Sequence, residues 1–257
     1  MQRISSRDNE QVRYACRLAS TGSFRLEENV IFAEGIRLCS DLAATLTVCA
    51  AFYTQRVLKE YPQVEHLCEN SYLINDPVDD KLAQTKTPQG LYCLFSMPGT
   101  QAEQLDYKKG VIVCEAVQDP TNIGAMLRSA AAFGLGGAVL LPGCADPFAP
   151  RALRAAMGAA GRLPVAVNAE LQEVLLSLQQ CGGTLFAAAL QGGQPLSAIQ
   201  AKGPYALLIG NEGAGLSNAA LHAAHQRVYI PMHSGMDSLN AAAAAAVMMY
   251  HFSAGGQ

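Results

Sequence analysis

Glycine, proline and small polar residues crowd three segments of this 257-residue chain, each after an apolar run that reads as a strand. QDPTNIGAMLRSAAAFG follows Val111–Val117, NEGAGLS follows Tyr205–Gly210, and PMHSGMDSLN follows Val228–Ile230. Together they offer one cation (Arg128), one acid (Glu212), and the amides and hydroxyl of Asn122, Asn240 and Ser238. Gly210, Gly213, Gly215 and Gly235 permit close backbone approach and positive φ. Such a cleft suits a flat hydrogen-bonding ligand, such as an adenosine moiety, held by main-chain groups and apolar side chains. With no metal set and no redox cysteine in sight, the economical chemistry is group transfer from a bound organic cofactor.

Common nucleotide and hydrolase motifs fit badly. In GLGGAV, Gly134 and Gly136 lack the third glycine of a dinucleotide fingerprint, since Val139 stands there, and the segment precedes a strand. GNEGAGLS has no Gly-Lys-Ser/Thr and is no P-loop. Ser234 or Ser238 with His233 and Asp237 would make a crowded hydrolase site, but no GxSxG elbow presents a nucleophile. The eight cysteines are scattered, with no CxxC pair, and read as buried reduced thiols. His222 and His225 have no acidic or sulfur partner nearby in sequence, so no metal is expected.

The elements that must position these loops alternate regularly. VIVCEAV (111–117), GAVLLP, LPVAV, TLFAAAL and YALLIG read as buried strands, VYIP as a short one, with helices between and a long Ala-rich helix last. Continuous apolar strands with helical crossovers predict a parallel sheet covered on both faces, with ligands at the strands' carboxyl ends. Residues 1–98 predict a smaller α/β domain. It begins with a helix from about Asp8 to Ala19, capped by Asp8, and continues through the strands ENVIFA, TLTVCA and GLYCLFS. Polar residues 99–109 read as a linker, leaving 110–257 as the second domain.

In order and spacing, DPTNIGAMLRSAAAFG, LLIGNEGAGLS and IPMHSGMDSLNAAAAAA resemble the three motifs of the SpoU (TrmH-like) RNA ribose methyltransferases of the SPOUT superfamily, over about residues 110–252. ISSRDNEQVRYACRLAS, FAEGIRL and KTPQG are similar to the RNA substrate-binding domain of the rRNA-directed members. The resemblance implies a C-terminal parallel-sheet SPOUT domain with a trefoil knot, preceded by the smaller α/β RNA-binding domain. It implies S-adenosylmethionine as cofactor, touching Gly210, Ile230 and Leu239, and methyl transfer to a ribose 2′-hydroxyl of RNA. rRNA is preferred over tRNA, and a catalytically silent RNA-binding protein is the other alternative.

By the same resemblance Asn122, Arg128, Glu212, Ser238 and Asn240 form the catalytic set. Arg128 would activate the hydroxyl, although a guanidinium pKa above about 12 makes a poor base, so base and positioning roles both stay open. Plain structural roles compete. Asn122, Ser238 and Asn240 suit helix caps, Glu212 suits a helix N-terminus, and Ile230 and Leu239 suit core packing. The family usually continues SLN with Val and Ser, where Ala241 and Ala242 follow here, and Ala156 stands where many members carry Ser. Leu239, Ala243, Val247 and Tyr250 share one face of the last helix, which the resemblance makes a homodimer seam.

A net charge of −3, from 18 Lys and Arg against 21 Asp and Glu, excludes a globally basic nucleic-acid coat and requires a local patch. Arg3, Arg7, Arg13, Arg17 and Arg25 crowd the start of the chain, and the RNA face is expected on these arginines, with salt-sensitive contacts. Arg154 and Arg162 are further candidates for RNA phosphates, with surface ion pairs as the equal alternative. No apolar run reaches the roughly 20 residues of a membrane helix, and the N-terminus lacks a secretory apolar core. A soluble cytoplasmic protein is expected.

Overall fold

The computed structural model describes residues 2–200, 202–233 and 239–254. The chain divides into two compact units, 1–98 with 146–161 and 99–145 with 162–257.

In chain order the first unit begins with β1 (Gln2–Ile4), α1 (Glu10–Ser20), α2 (Gly22–Glu28), β2 (Val30–Glu34), α3 (Ile36–Ala43) and β3 (Val48–Thr54). It continues through α4 (Gln55–Glu60), β4 (Ser71–Ile74), α5 (Asp76–Leu82) and β5 (Leu91–Ser96). Its sheet runs β1-β4-β3-β5-β2, with β5 antiparallel to both neighbours and the other pairs parallel. The apolar stripe Val12, Ala15, Leu18 and Ala19 packs α1 onto Phe32, Phe52, Tyr92 and Leu94. The cap of α1 is Asn9, not Asp8, because Asn9 Oδ1 accepts from Gln11 N at 2.9 Å.

The second unit holds β6 (Val111–Cys114), α6 (Pro120–Ala132) and β7 (Gly137–Leu140). The chain then passes through α7 (Pro150–Ala156), which belongs to the first unit. It returns for β8 (Val165–Val167), α8 (Leu171–Cys181), β9 (Thr184–Ala188), β10 (Gln194–Pro195) and β11 (Tyr205–Ile209). α9 (Asn218–Ala223), β12 (Gln226–Tyr229) and α10 (Ala241–Ala254) complete it. The seven strands are all parallel, in the order β10-β12-β9-β11-β6-β7-β8. VIVC, TLFAA and YALLI are apolar without alternation because both faces of the sheet are covered.

Residues 99–109 differ from the expected linker. Two 3-10 turns, Ala102–Gln104 and Tyr107–Lys109, bury Ala102, Leu105 and Tyr107 in the second unit's core. Gly136 meets the Asp106 carbonyl so closely that no Cβ fits between them. In α10, Ala241, Ala242, Ala245, Met248, Met249 and Phe252 are buried, while Val247 and Tyr250 are exposed. No helix among the described residues is long and apolar enough to cross a membrane.

Candidate active site

The strand order reverses direction between β11 and β6, where Ile209 pairs with Cys114. Parallel sheets hold ligands at the carboxyl side of such a switch point, and the loops of the first two motifs leave from there. The run read as one strand to Val117 ends earlier, at Cys114. Ala116 takes φ +53°, and the chain turns into α6. Asp119 caps that helix through Thr121 N at 2.8 Å, followed by Pro120 at the first helical position. Asn122 is therefore released from capping. Its side chain, buried with 8% exposure, faces the second motif.

There Asn122 Nδ2 donates to Glu212 Oε1 at 2.6 Å, and Asn122 Oδ1 accepts from Asn240 Nδ2 at 3.0 Å. Asn240 Oδ1 accepts from Ala242 N at 2.9 Å and Ala243 N at 3.2 Å, which starts α10. One unbroken polar chain thus joins three loops far apart in sequence. Asn240 thus both caps α10 and bonds to Asn122, as a terminal amide with four hydrogen-bonding positions can. Glu212 is not a helix-terminal acid, since Ser217 caps α9 by accepting from Ala220 N at 3.1 Å. Glu212 Oε2 has no partner among the described residues and remains available to a substrate. Ser238 lies outside the described residues.

Three residues unnoticed in the sequence hold the Glu212 loop in place. Asn211 Nδ2 donates to Ala116 O at 2.8 Å, while its Oδ1 accepts from Gly213 N and Ala214 N, each at 2.9 Å. Glu115 accepts from Ser217 N at 2.8 Å and Ser217 Oγ at 2.7 Å. The loop is clamped at both ends to the turn that leads into Asn122. The one available signal was an acid inside an apolar run, Glu115 in VIVCEAV. A Cβ on Gly210 would lie 2.5 Å from the Gly215 carbonyl carbon, so glycine lets the loop fold back on itself.

Arg128 lies further along α6 and is exposed, with no hydrogen bond or ion pair among the described residues. A cation carried on a helix built into the site and left unneutralised is available to a phosphate or a ribose oxygen.

A cavity of about 190 Å3 opens at the carboxyl ends of β9 and β12. Ala189, Leu190, Ile230, Met232, Leu239 and Ala244 contribute to its apolar wall. Ile230 and Leu239 thus line a cavity instead of filling a core, and Leu239 keeps 42% exposure. Gly210 acts through the adjacent turn and is not part of that wall. A largely apolar wall at strand ends fits the adenosine part of S-adenosylmethionine.

All eight cysteines are free. Burial pushes the Cys114 and Cys144 thiols up, which keeps them protonated beside the acids of the site. No group of three His, Cys, Asp or Glu side chains suited to a metal is present among the described residues. His225 Nδ1 accepts from Leu185 N at 2.8 Å, a structural role.

The arginines expected to meet RNA separate into two groups. Arg3, Arg7, Arg13 and Arg162 are exposed. Arg25 is instead buried, with Nη2 2.5 Å from Asp146 Oδ2 and Nη1 donating to the carbonyls of Leu18 and Ala19. Arg17 stacks over Phe24 at 3.8 Å from the ring centroid. Arg154 turns toward Glu34, with Nη1 to Oε2 at 3.9 Å and only 2% exposure on the Glu34 side chain. For Arg25, pairing with Asp146 replaces the expected RNA contact, because a buried charge must be matched, whereas the Arg154 side chain keeps 31% exposure beside its ion pair.

The model of the SpoU rRNA Methylase family matches residues 109–250. The chain is 32% identical to the 23S rRNA (guanosine(2553)-2′-O)-methyltransferase RlmP of Bacillus subtilis, over 98% of this chain and 99% of that protein. It is 29% identical to the human mitochondrial rRNA methyltransferase 3, over 88% of this chain and 68% of that one. The crystal structure of an AdoMet-bound rRNA methyltransferase from Sinorhizobium meliloti superposes with a TM-score of 0.87 at 25% identity, covering 97% of this chain and 96% of that one. The motif loops, the parallel sheet and these likenesses agree: the chain belongs to the SpoU rRNA methylase family.

Proposed function

We propose that the loops at the carboxyl ends of β6 and β11, with the start of α10, carry out the family's reaction with ribosomal RNA as its substrate. As a family member the chain is an S-adenosylmethionine-dependent RNA ribose 2′-O-methyltransferase. The observation that carries the assignment of residues is the hydrogen-bonded chain Glu212–Asn122–Asn240, which ties the three motif loops together.

When bound, S-adenosylmethionine supplies an electrophilic methyl group on a sulfonium. Ile230, Leu239 and the other apolar residues of the 190 Å3 cavity hold it and exclude water, with Gly210 shaping the neighbouring turn. The ribose 2′-oxygen must lose a proton while it is held in line with the methyl group. Arg128 grips the phosphate and sugar of the target nucleotide, and its positive charge lowers the cost of removing that proton. A guanidinium has no free lone pair at neutral pH, so positioning is its main part. Glu212, fixed by Asn122, accepts a hydrogen bond from the sugar through Oε2. Ser238, on the third motif, completes the set.

The rest of the reading concerns the whole molecule. Residues 1–98 form the RNA substrate-binding domain, with Arg3, Arg7 and Arg13 as cations toward RNA, and Arg162 in the second unit is a further candidate. rRNA is preferred over tRNA because FAEGIRL and KTPQG resemble the rRNA-directed members, and because the 23S rRNA methyltransferase RlmP matches over 98% of this chain. A homodimer forms through Val247 and Tyr250, which α10 leaves exposed, and the chain in the second unit forms a trefoil knot. A cytoplasmic location suits eight free thiols.

Incubation with labelled S-adenosylmethionine and bulk RNA, followed by nucleoside analysis, tests the reading. Label in a 2′-O-methylnucleoside from rRNA is expected. Label in tRNA only would reassign the substrate. Bound cofactor without transfer to any RNA would favour the silent scaffold.

A further inference from the structure

A cleft of about 850 Å3 opens in the first unit at the carboxyl ends of β1, β4 and β3, which are parallel neighbours. That edge of an α/β sheet is where ligands bind. Two chemistries meet there. Arg3, on β1, and Arg56, at the start of α4, bring guanidinium groups, both on exposed residues and neither in an ion pair among the described residues. Arg56 Nη2 donates to Pro88 O at 3.2 Å, which steadies its head at the rim and leaves its other donors available.

α5 adds Asp76 and Asp80, one helical turn apart and so on the same face. Asp76 opens the helix, where the dipole favours an acid, and neither carboxylate has a hydrogen-bond or ion-pair partner among the described residues. Asp79 differs, because it accepts from Tyr92 Oη at 2.6 Å and supports the fold.

A site with free guanidinium groups and free carboxylates is wrong for a bare anion, which the acids repel, and wrong for a metal ion, which the arginines repel. It suits a ligand that is anionic at one end and rich in donors at the other. Among the components of RNA, a guanosine nucleotide meets both conditions, since its phosphate faces cations and its adjacent N1–H and N2–H groups can donate to one carboxylate. Protein recognition of RNA is concentrated on such unpaired bases.

We propose that this cleft takes one unpaired guanosine nucleotide of the RNA substrate, with Arg3 and Arg56 on the phosphate and Asp76 and Asp80 on the donor edge of the base. The inference rests on the RNA methyltransferase reading and assigns part of its substrate choice to the first unit.

The test uses the full chain and three fluorescent RNA pentamers, UUGUU, UUUUU and UUGUU with inosine in place of guanosine. Anisotropy is expected to show guanosine bound at least five-fold more tightly than the other two, because inosine lacks the 2-amino donor. The double variant Asp76→Asn, Asp80→Asn should lose that preference. The double variant Arg3→Ala, Arg56→Ala should weaken all three pentamers about ten-fold and raise KM for rRNA. Circular dichroism melting checks that the variants fold. Equal binding of the three pentamers by the unaltered chain, no binding of any of them, or a guanosine preference that survives in the Asn variant would overturn the proposal. Methyl transfer to rRNA by the unaltered chain is measured in parallel. If it proceeds and the Arg variant leaves KM unmoved, only the cleft assignment fails, whereas if no RNA is methylated the enzyme reading itself fails.

Discussion

The amide orientations of Asn122 and Asn240 follow from a single fact, that an ionised carboxylate only accepts hydrogen bonds. Asn122 must turn Nδ2 toward Glu212, so its Oδ1 must receive Asn240 Nδ2, and Asn240 Oδ1 is left for the first N–H groups of α10. Glu212→Gln keeps an acceptor in place but removes the charge, and charged hydrogen bonds are about twice as strong as neutral ones. Folding should survive with little change in Tm, while kcat falls at least ten-fold. Asn122→Asp would set two carboxylates against each other at the 2.6 Å contact. Each raises the other's pKa, so the protonated pair is tolerated and the doubly ionised pair is not. Stability of that variant should therefore fall as pH rises from about 5 to 8, the opposite of an ordinary paired carboxylate. Thermal melts at the two pH values check the sign. At this scale the sequence was half legible. It offered Asn122, Glu212 and Asn240 with capping roles as rivals, and only the placement of Asp119 and Ser217 as the real caps of α6 and α9 removed those rivals for Asn122 and Glu212.

At the scale of elements, the Glu212 loop is held at both ends by Asn211 and Ser217, which bond to the turn after β6. Ala244→Phe would place a ring in the 190 Å3 cavity. It should abolish S-adenosylmethionine binding in a calorimetric titration while leaving secondary structure intact. Arg25→Ala removes the partner of Asp146 and of two α1 carbonyls. It should cost about 1–3 kcal/mol, the usual penalty for buried polar groups left unpaired, read as a lower denaturation midpoint. Strands β6, β9 and β11 were legible because burial on both faces leaves uninterrupted apolar runs. β4, with only Ser71–Ile74, carries too short a run to stand out. α7 was legible as a helix but not in its attachment, since periodicity shows that a face is apolar without saying which core receives it. It is grouped with the first unit, where Gly158 sits against Asp41 and Gly161 against Thr45.

At the scale of the whole molecule, a chain with net charge −3 must meet an RNA polyanion through a local patch of cations, so binding should weaken with salt. The exposed Val247 and Tyr250 on α10 make dimerisation the second whole-molecule expectation. Val247→Asp with Tyr250→Asp should shift light scattering from the mass of two chains to that of one, and a single-chain mass for the unaltered protein would remove the seam. The central claim, that the motif loops at the carboxyl ends of β6 and β11 carry out methyl transfer to ribose, is tested most directly by Arg128→Ala. Labelled S-adenosylmethionine and rRNA should yield 2′-O-methylnucleoside with the unaltered chain and at most about a hundredth of that rate with the variant, which should still bind the cofactor. A variant that methylates rRNA at the unaltered rate would contradict the claim.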